Sequence, residues 1–254
     1  MHDISVAVLC SGSSGNSILA RSDGSAILID AGLSCRELDR RLSLFGVEPT
    51  QIEAVVLTHE HTDHTRGARR FCIEHGIPVY GTRGTLALTP LDDVRTTVIV
   101  HGKVFQVGGF SIMPFSVRHL AAEPVAVSIS NGSRKVGIAS DLGTVTPTVI
   151  EKMSGSDLML VEANYDEDML LTGDYPGFLK KAIHGDHGHL SNEDAGTLSA
   201  KAASEITKDV VLVHLSKDNN TPEKALETVS GKIARAKHRP KVSVIEHGST
   251  GGPF

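Results

Sequence analysis

The chain has 254 residues, is 40% hydrophobic and carries a formal net charge of −5. No apolar run nears the roughly 20 residues of a membrane span, so no membrane partner is expected. The length suits one large α/β domain over 1–254, and the acidic balance does not by itself point to nucleic acid.

The first ten residues lack a basic flank and a long apolar centre, so a secretory signal is not expected. Cys10, Cys35 and Cys72 make an odd count with no C-x-x-C. Buried, reduced thiols and a cytoplasmic location follow from that pattern, and spacing marks none of the three as a metal ligand.

In chain order, a strand is expected over 3–9, followed by a small-residue loop, Cys10-Ser11-Gly12-Ser13-Ser14-Gly15-Asn16-Ser17. Such a loop is either a plain turn or a rim of N–H and hydroxyl groups beside a site. On the second reading Ser13 and Asn16 become candidate substrate contacts. Strands are expected over 18–20 and 25–29. Asp30 then precedes Ala31-Gly32, as a ligand or as a supporting acceptor. Ser34 reads as an N-cap with Glu37 at the third helical position, opening a helix that ends at Gly46. A buried strand over 54–57 leads into a cluster of histidines, and a helix follows over 68–75.

Shorter elements follow: a strand over 77–80, a helical turn over 84–88, and strands over 98–100, 104–107 and 110–117, the last delivering His119. A hairpin over 125–130 and 135–139 turns at Asn131-Gly132 and delivers Asp141. Thr146-Pro147 opens a short helix, and a strand over 158–161 delivers Glu162. The polar stretch 165–190 is expected to be partly helical. Ser191 caps a helix to about residue 206, and a strand over 210–213 delivers His214. A helix from Thr221-Pro222-Glu223 to about 237, a strand over 241–245 and a tail over 248–254 complete the chain.

Thr58-His59-Glu60-His61-Thr62-Asp63-His64 cannot be read as packing. Side chains at i and i+2 on an extended turn point the same way, so His59 and His61 can grip one ion. Asp63 and His64 face a second position. Imidazole nitrogen and carboxylate oxygen suit Zn²⁺, Mn²⁺ or Fe. The cluster leaves the carboxyl end of a strand, where α/β folds place ligand sites. Three further apolar strands end on His119, Asp141 and His214, and it is the joint occurrence that argues for a site.

The motif resembles that of the metallo-β-lactamase superfamily, which implies an α/β fold, the four-layer αββα metallo-β-lactamase sandwich. The resemblance implies His59, His61 and His119 as ligands of one metal, Asp63, His64 and His214 of a second, and Asp141 as the bridge. All seven positions are present. The segments 9–17, 116–124, 188–195 and 214–220 are similar to the WalJ/YycJ group, in the branch that includes tRNase Z. That likeness implies two divalent ions, Zn²⁺ or Mn²⁺, and 5′→3′ exonuclease action on double-stranded DNA. It leaves monomer or homodimer open.

In that branch a Glu–His pair assists at the leaving group, and Glu162 and His189 fit those positions. Glu162 could equally fix a ligand histidine. Lys180 and Lys181 read as phosphate contacts or as a solvated helix face. The implied mechanism is hydrolysis by a water shared between two ions, with Asp63 as its orienting or proton-accepting partner and His189 as general acid. RNA, a small cyclic phosphate, a thioester or lactam, and non-catalytic metal binding are the alternatives.

Overall fold

The computed structural model describes residues 4–254. Asp3, the expected start of the first strand, lies outside the described residues. Among the described residues, one sheet takes its strands in chain order: β1 (Ser5–Cys10), β2 (Ser17–Ser22), β3 (Ser25–Ile29), β4 (Ile52–Val56), β5 (Val79–Gly81) and β6 (Thr96–Val98). β1 to β3 are antiparallel, and β3 to β6 run parallel.

The second sheet is built the same way from β7 (Phe105–Val107), β8 (Phe110–Ser116), β9 (Val125–Ser130), β10 (Lys135–Ala139), β11 (Leu158–Glu162), β12 (Asp209–Val213) and β13 (Lys241–Val244). β7 to β10 are antiparallel, and β10 to β13 are parallel. The helices are α1 (Cys35–Ser43), α2 (Thr62–Thr65), α3 (Ala68–His75), α4 (Arg83–Leu88), α5 (Pro147–Met153), α6 (Glu167–Thr172), α7 (Gly177–His184), α8 (Asn192–Ala202) and α9 (Pro222–Ala234).

The strands read as unbroken apolar runs because both faces of each sheet are covered. Alternation then assigns side chains to opposite sides. On β1, Val6 and Val8 face the interior between the sheets, while Ala7 and Leu9 face an outer cluster with Leu38 of α1 and Phe71 of α3. On β11, Leu158 and Leu160 point inward. Met159 and Val161 pack outward with Val149 of α5, Leu198 of α8 and Val229 of α9. The order helix, sheet, sheet, helix is the four-layer αββα sandwich.

Ser34, Thr146, Ser191 and Thr221 each cap a helix by accepting a backbone N–H three residues on. Several boundaries differ from expectation. α8 stops at Ala202, because Ser204 and Thr207 bond each other and Thr207 Oγ1 donates to the Ser156 carbonyl, turning the chain into β12. α9 ends at Ala234, where the N–H groups of Arg235 and Ala236 tighten onto carbonyls three residues back. β6 starts at Thr96, paired with Val79, two residues before the expected strand. The β9–β10 loop spans 131–134, and Asn131 Oδ1 accepts from the N–H groups of Ser133 and Arg134. Residues 248–254 are not a free tail. Gly251 pairs with Val8 and Phe254 with Val6, so this segment covers the open edge of β1.

Candidate metal centre

The candidate residues meet because the strands that carry them end on the same side. β10, β11 and β12 are parallel, and β8 runs parallel to β10 through β9, so His119, Asp141, Glu162 and His214 all emerge at one rim. Across the sandwich, β4 delivers His59, His61 and α2, which carries Asp63 and His64. The backbone beside them is tightly fitted. Asn16 N donates to the Asp63 carbonyl at 2.7 Å and Ala31 N to the His64 carbonyl at 2.8 Å. Gly32 lies so close that a Cβ there would overlap the Asp63 carbonyl.

The outer nitrogen of each imidazole is already committed to an acceptor. His59 Nδ1 is 3.0 Å from the Thr58 hydroxyl, which itself donates to the Asp30 carboxylate. His61 Nε2 donates to the Leu120 carbonyl at 3.0 Å, and His119 Nδ1 to the Gly188 carbonyl at 2.9 Å. His64 Nδ1 meets Asp30 Oδ2 at 2.7 Å, and His214 Nδ1 meets Glu162 Oε1 at 3.0 Å. Every ring therefore turns its other nitrogen inward, toward the neighbouring donors. His61 Nδ1 and His119 Nε2 face each other at 3.3 Å, an approach of two acceptors that only a cation or a proton reconciles. His59 Nε2 and His214 Nε2 are buried with no hydrogen-bond partner. Ligand histidines in metal sites are held in this way.

The donors form overlapping sets: His59, His61 and His119; His59, His64 and Asp141; Asp63, His64 and His214. Within each set the donor atoms lie within 4.8 Å of one another. Asp141 stands between them, with Oδ2 3.1 Å from His64 Nε2 and Oδ1 3.5 Å from His214 Nε2 and 4.0 Å from His119 Nε2. Oδ2 lacks hydrogen-bond alignment to any partner despite that proximity, which leaves it free for an ion. These residues fit divalent metals on donor chemistry and on their orphaned inward atoms.

Electrostatics divides the centre. Burial, reinforced by the His64 charge, pushes the His59 pKa well down, and burial lowers that of His119. For His64 burial opposes charge, but Asp141 and Asp30 outweigh it and raise the pKa well above the usual value. Burial likewise opposes charge on His214, yet Asp141, Asp63 and Glu162 raise it to about 10. The negative surroundings that favour a proton on those nitrogens favour a metal cation equally. Burial would raise Asp141, but His214 and His64 hold it well below the carboxylate range. Burial would raise Asp63 too, but the neighbouring His214 and His64 lower it.

Backbone strain collects at the same rim. Asp30, Asp141 and His214 adopt left-handed φ angles of 63°, 56° and 57°. Such conformations are costly away from glycine and persist where surrounding contacts impose them, characteristically at functional sites.

A cleft of about 300 Å³ opens over the centre, lined by Ser13, His61, Asp63, Asp141, His189 and His214 and by Tyr175, Leu179 and Ile183 of the α7 region. His189 Nδ1 donates to Glu162 Oε1 at 2.6 Å, and the His189 ring stacks on that of His214 at 5.4 Å. Burial opposes its charge, but Glu162 raises the His189 pKa. Glu162 is wholly buried. Its Oε1 holds His189 and His214 together, and its Oε2 accepts from Leu142 N. It therefore holds both rings from behind, the second of the two roles its sequence position allowed.

Three of the expected substrate contacts stand off the cleft lining. Asn16 is turned inward: its amide nitrogen lies 3.0 Å from Asp63 Oδ2 and 2.9 Å from His64 Nε2. Lys180 and Lys181 sit on α7 outside the cleft lining, and Lys180 Nζ donates to the Leu171 carbonyl. Ser13 is exposed on the lining. Asp30 proves to be the supporting acceptor. Sequence reasoning missed Thr58, Glu60 and Asn164: Glu60 Oε1 accepts from Ala122 N, and Asn164 Nδ2 donates to the His214 carbonyl. For Thr58 and Glu60 the signal was their place inside the motif.

A rim of inward-facing imidazoles and carboxylates on a four-layer sandwich defines a metal-dependent hydrolase. The β-lactamase superfamily domain matches residues 25–215, and the chain belongs to the metallo-β-lactamase superfamily, in its WalJ/YycJ group. Exodeoxyribonuclease YycJ of Bacillus anthracis is 33% identical, over 88% of this chain and 86% of its own length. Exodeoxyribonuclease WalJ of Streptococcus pneumoniae is 32% identical, over 90% of this chain and 88% of its own. Among solved structures, the metallo-β-lactamase fold protein YhfI of Bacillus subtilis superposes with a TM-score of 0.76 at 19% identity, covering 98% of this chain and all of its own, a likeness of fold.

Proposed function

We propose that this chain is a phosphodiester hydrolase that uses two divalent ions, Zn²⁺ or Mn²⁺, and acts as a 5′→3′ exonuclease on double-stranded DNA. The observation that carries it is the pair of donor sets joined at Asp141, with a Glu162-held His189 opening on the same cleft. The choice of DNA draws on two relatives, alike over most of their length, that are named exodeoxyribonucleases, and the polarity on the resemblance to the group.

Divalent ions held there would lower the pKa of a water and offset charge on the phosphoryl oxygens. Asp63, partly exposed on the cleft, orients the attacking water and takes its proton. His189 donates Nδ1–H to Glu162, which keeps the ring charged and leaves Nε2 to protonate the departing alkoxide. Glu162 is the positioning residue for this acid. The unpaired, buried Cys10, Cys35 and Cys72 support a cytoplasmic location. The interior shared by both sheets supports one domain over 1–254.

A second reading, a small phosphodiester such as a cyclic phosphate, or RNA, draws on the cleft itself. It is compact, and no Lys or Arg stands among its lining residues. One experiment separates these readings. The protein is stripped of metal, reloaded with Mn²⁺ or Zn²⁺, and given 5′-phosphorylated duplex DNA, matched single strands, RNA and a small phosphodiester dye ester, with Asp63→Ala as blank. Duplex shortening from the 5′ end, lost in the variant, is the expected result. Turnover of the dye ester alone would overturn the exonuclease reading.

A further inference from the structure

We propose that Cys35, Asp39, Glu74 and His75 form a second, separate divalent-metal site, suited to Zn²⁺, that ties α1 to α3. Cys35 and Asp39 lie one turn apart on α1 and share a face. Glu74 and His75 close α3, which packs beside α1 on the outer face of the first sheet. One donor atom from each of the four lies within 4.8 Å of the others. A tetrahedral zinc site with sulfur, nitrogen and oxygen ligands has donor–donor edges of roughly 3.3–3.8 Å, so closure asks for side-chain shifts of about an ångström.

The contacts now present are few. His75 Nε2 is 3.0 Å from Asp39 Oδ1, and Cys35 Sγ is 3.8 Å from Asp39 Oδ2. Glu74 Oε2 accepts from Arg70 Nε at 2.9 Å, which leaves its second oxygen free. Thiolate, imidazole and carboxylate together suit zinc rather than magnesium or calcium. On binding, the Cys35 thiol gives its proton to solvent and its sulfur lone pair forms the bond, as a dication enforces on a coordinating thiol. His75 binds as the neutral ring, with its proton on the other nitrogen. The set then carries one net negative charge, and Arg70 beside Glu74 offsets it. Nothing in the cleft chemistry uses these residues, and none of the cleft donors is sulfur.

That difference in donor atoms makes the test specific. The metal-free protein is titrated with Co²⁺ and followed for a near-ultraviolet thiolate-to-cobalt charge-transfer band. The band is expected in the parent chain, in Cys72→Ser and in Asp141→Ala, which retains this site. It should vanish in Cys35→Ser and weaken in His75→Ala. Cys35→Ser should also bind one ion fewer per chain while keeping nuclease activity. A fully cobalt-loaded parent chain with no such band would overturn the proposal, as would a band that survives in Cys35→Ser. Should Cys35→Ser fail to fold, a weakened band in folded Asp39→Asn and its loss in the folded Asp39→Asn/His75→Ala double variant, with Cys72→Ser unaffected, would support the site, and a full-strength band in the double variant would overturn it.

Discussion

The two donor sets of the candidate metal centre face each other across Asp141, yet the protein holds them by different means. His59, His61 and His119 lean on a hydroxyl and two backbone carbonyls, from Thr58, Leu120 and Gly188. His64 and His214 lean on carboxylates, Asp30 and Glu162, and Asp63 adds a third charge to their set. In the first set burial pushes His59 and His119 toward low pKa. In the second the acids push His64 and His214 high. A carboxylate behind an imidazole raises its basicity as a ligand. The lesson is that the outer partner, not the ligand type, separates two otherwise similar sets of histidines. The second set should hold its ion more tightly.

The largest effect should come from removing what the sets share. Asp141→Ala should lose both ions from the cleft and bring nuclease activity to background, read by metal analysis and turnover on the same sample. His189→Ala leaves both sets intact, so cleft metal content should hold while kcat falls by about 10²- to 10⁴-fold, the usual worth of a general acid. Loss of cleft metal in that variant would sink its assignment as the acid.

Asp30→Asn breaks the carboxylate partner of His64. Metal affinity of the second set should fall by roughly 10- to 100-fold, toward that of the first. In the parent chain, graded chelation should strip the His59–His61–His119 ion first. Simultaneous loss of both ions from parent and variant alike would break the comparison.

The smallest effect belongs to a control outside both sets. Glu37 on α1 is held to a pKa of about 2 by hydrogen bonds from Arg40 and Arg41, against an ordinary 4.5. Its folded pKa is depressed, so its contribution is complete above about 4.5 and is lost as pH falls toward 2. The carboxylate is about a third exposed, so Glu37→Gln should cost less than ~1 kcal/mol at neutral pH, converging with the parent at pH 2, with metal content unchanged. Denaturant titrations at the two pH values read it.

Much of the site was legible before the fold. H-x-H-x-D-H after an apolar strand, and His119, Asp141 and His214 after three more, follow from spacing and from runs that only strands covered on both faces produce. The caps at Ser34, Thr146, Ser191 and Thr221 are local chemistry and could be read as such. Asn16 was not, because its turn toward Asp63 and His64 depends on two loops crossing. Residues 248–254 look like a tail because the β1 edge they cover lies at the other end of the chain.

By itself, then, the sequence determined the donor inventory, the strand that carries each donor and the local turns, since each depends on residues a few positions apart. Tertiary structure decided which acceptor stands behind each ring. The Gly188 carbonyl meets His119 across 69 residues, Glu162 meets His214 across 52, and Cys35 and Asp39 come to face Glu74 and His75 only when α1 packs on α3. Hydrogen bonds and ion coordination act over about three ångströms, and separation along the chain does not determine separation in space until the sheets have packed.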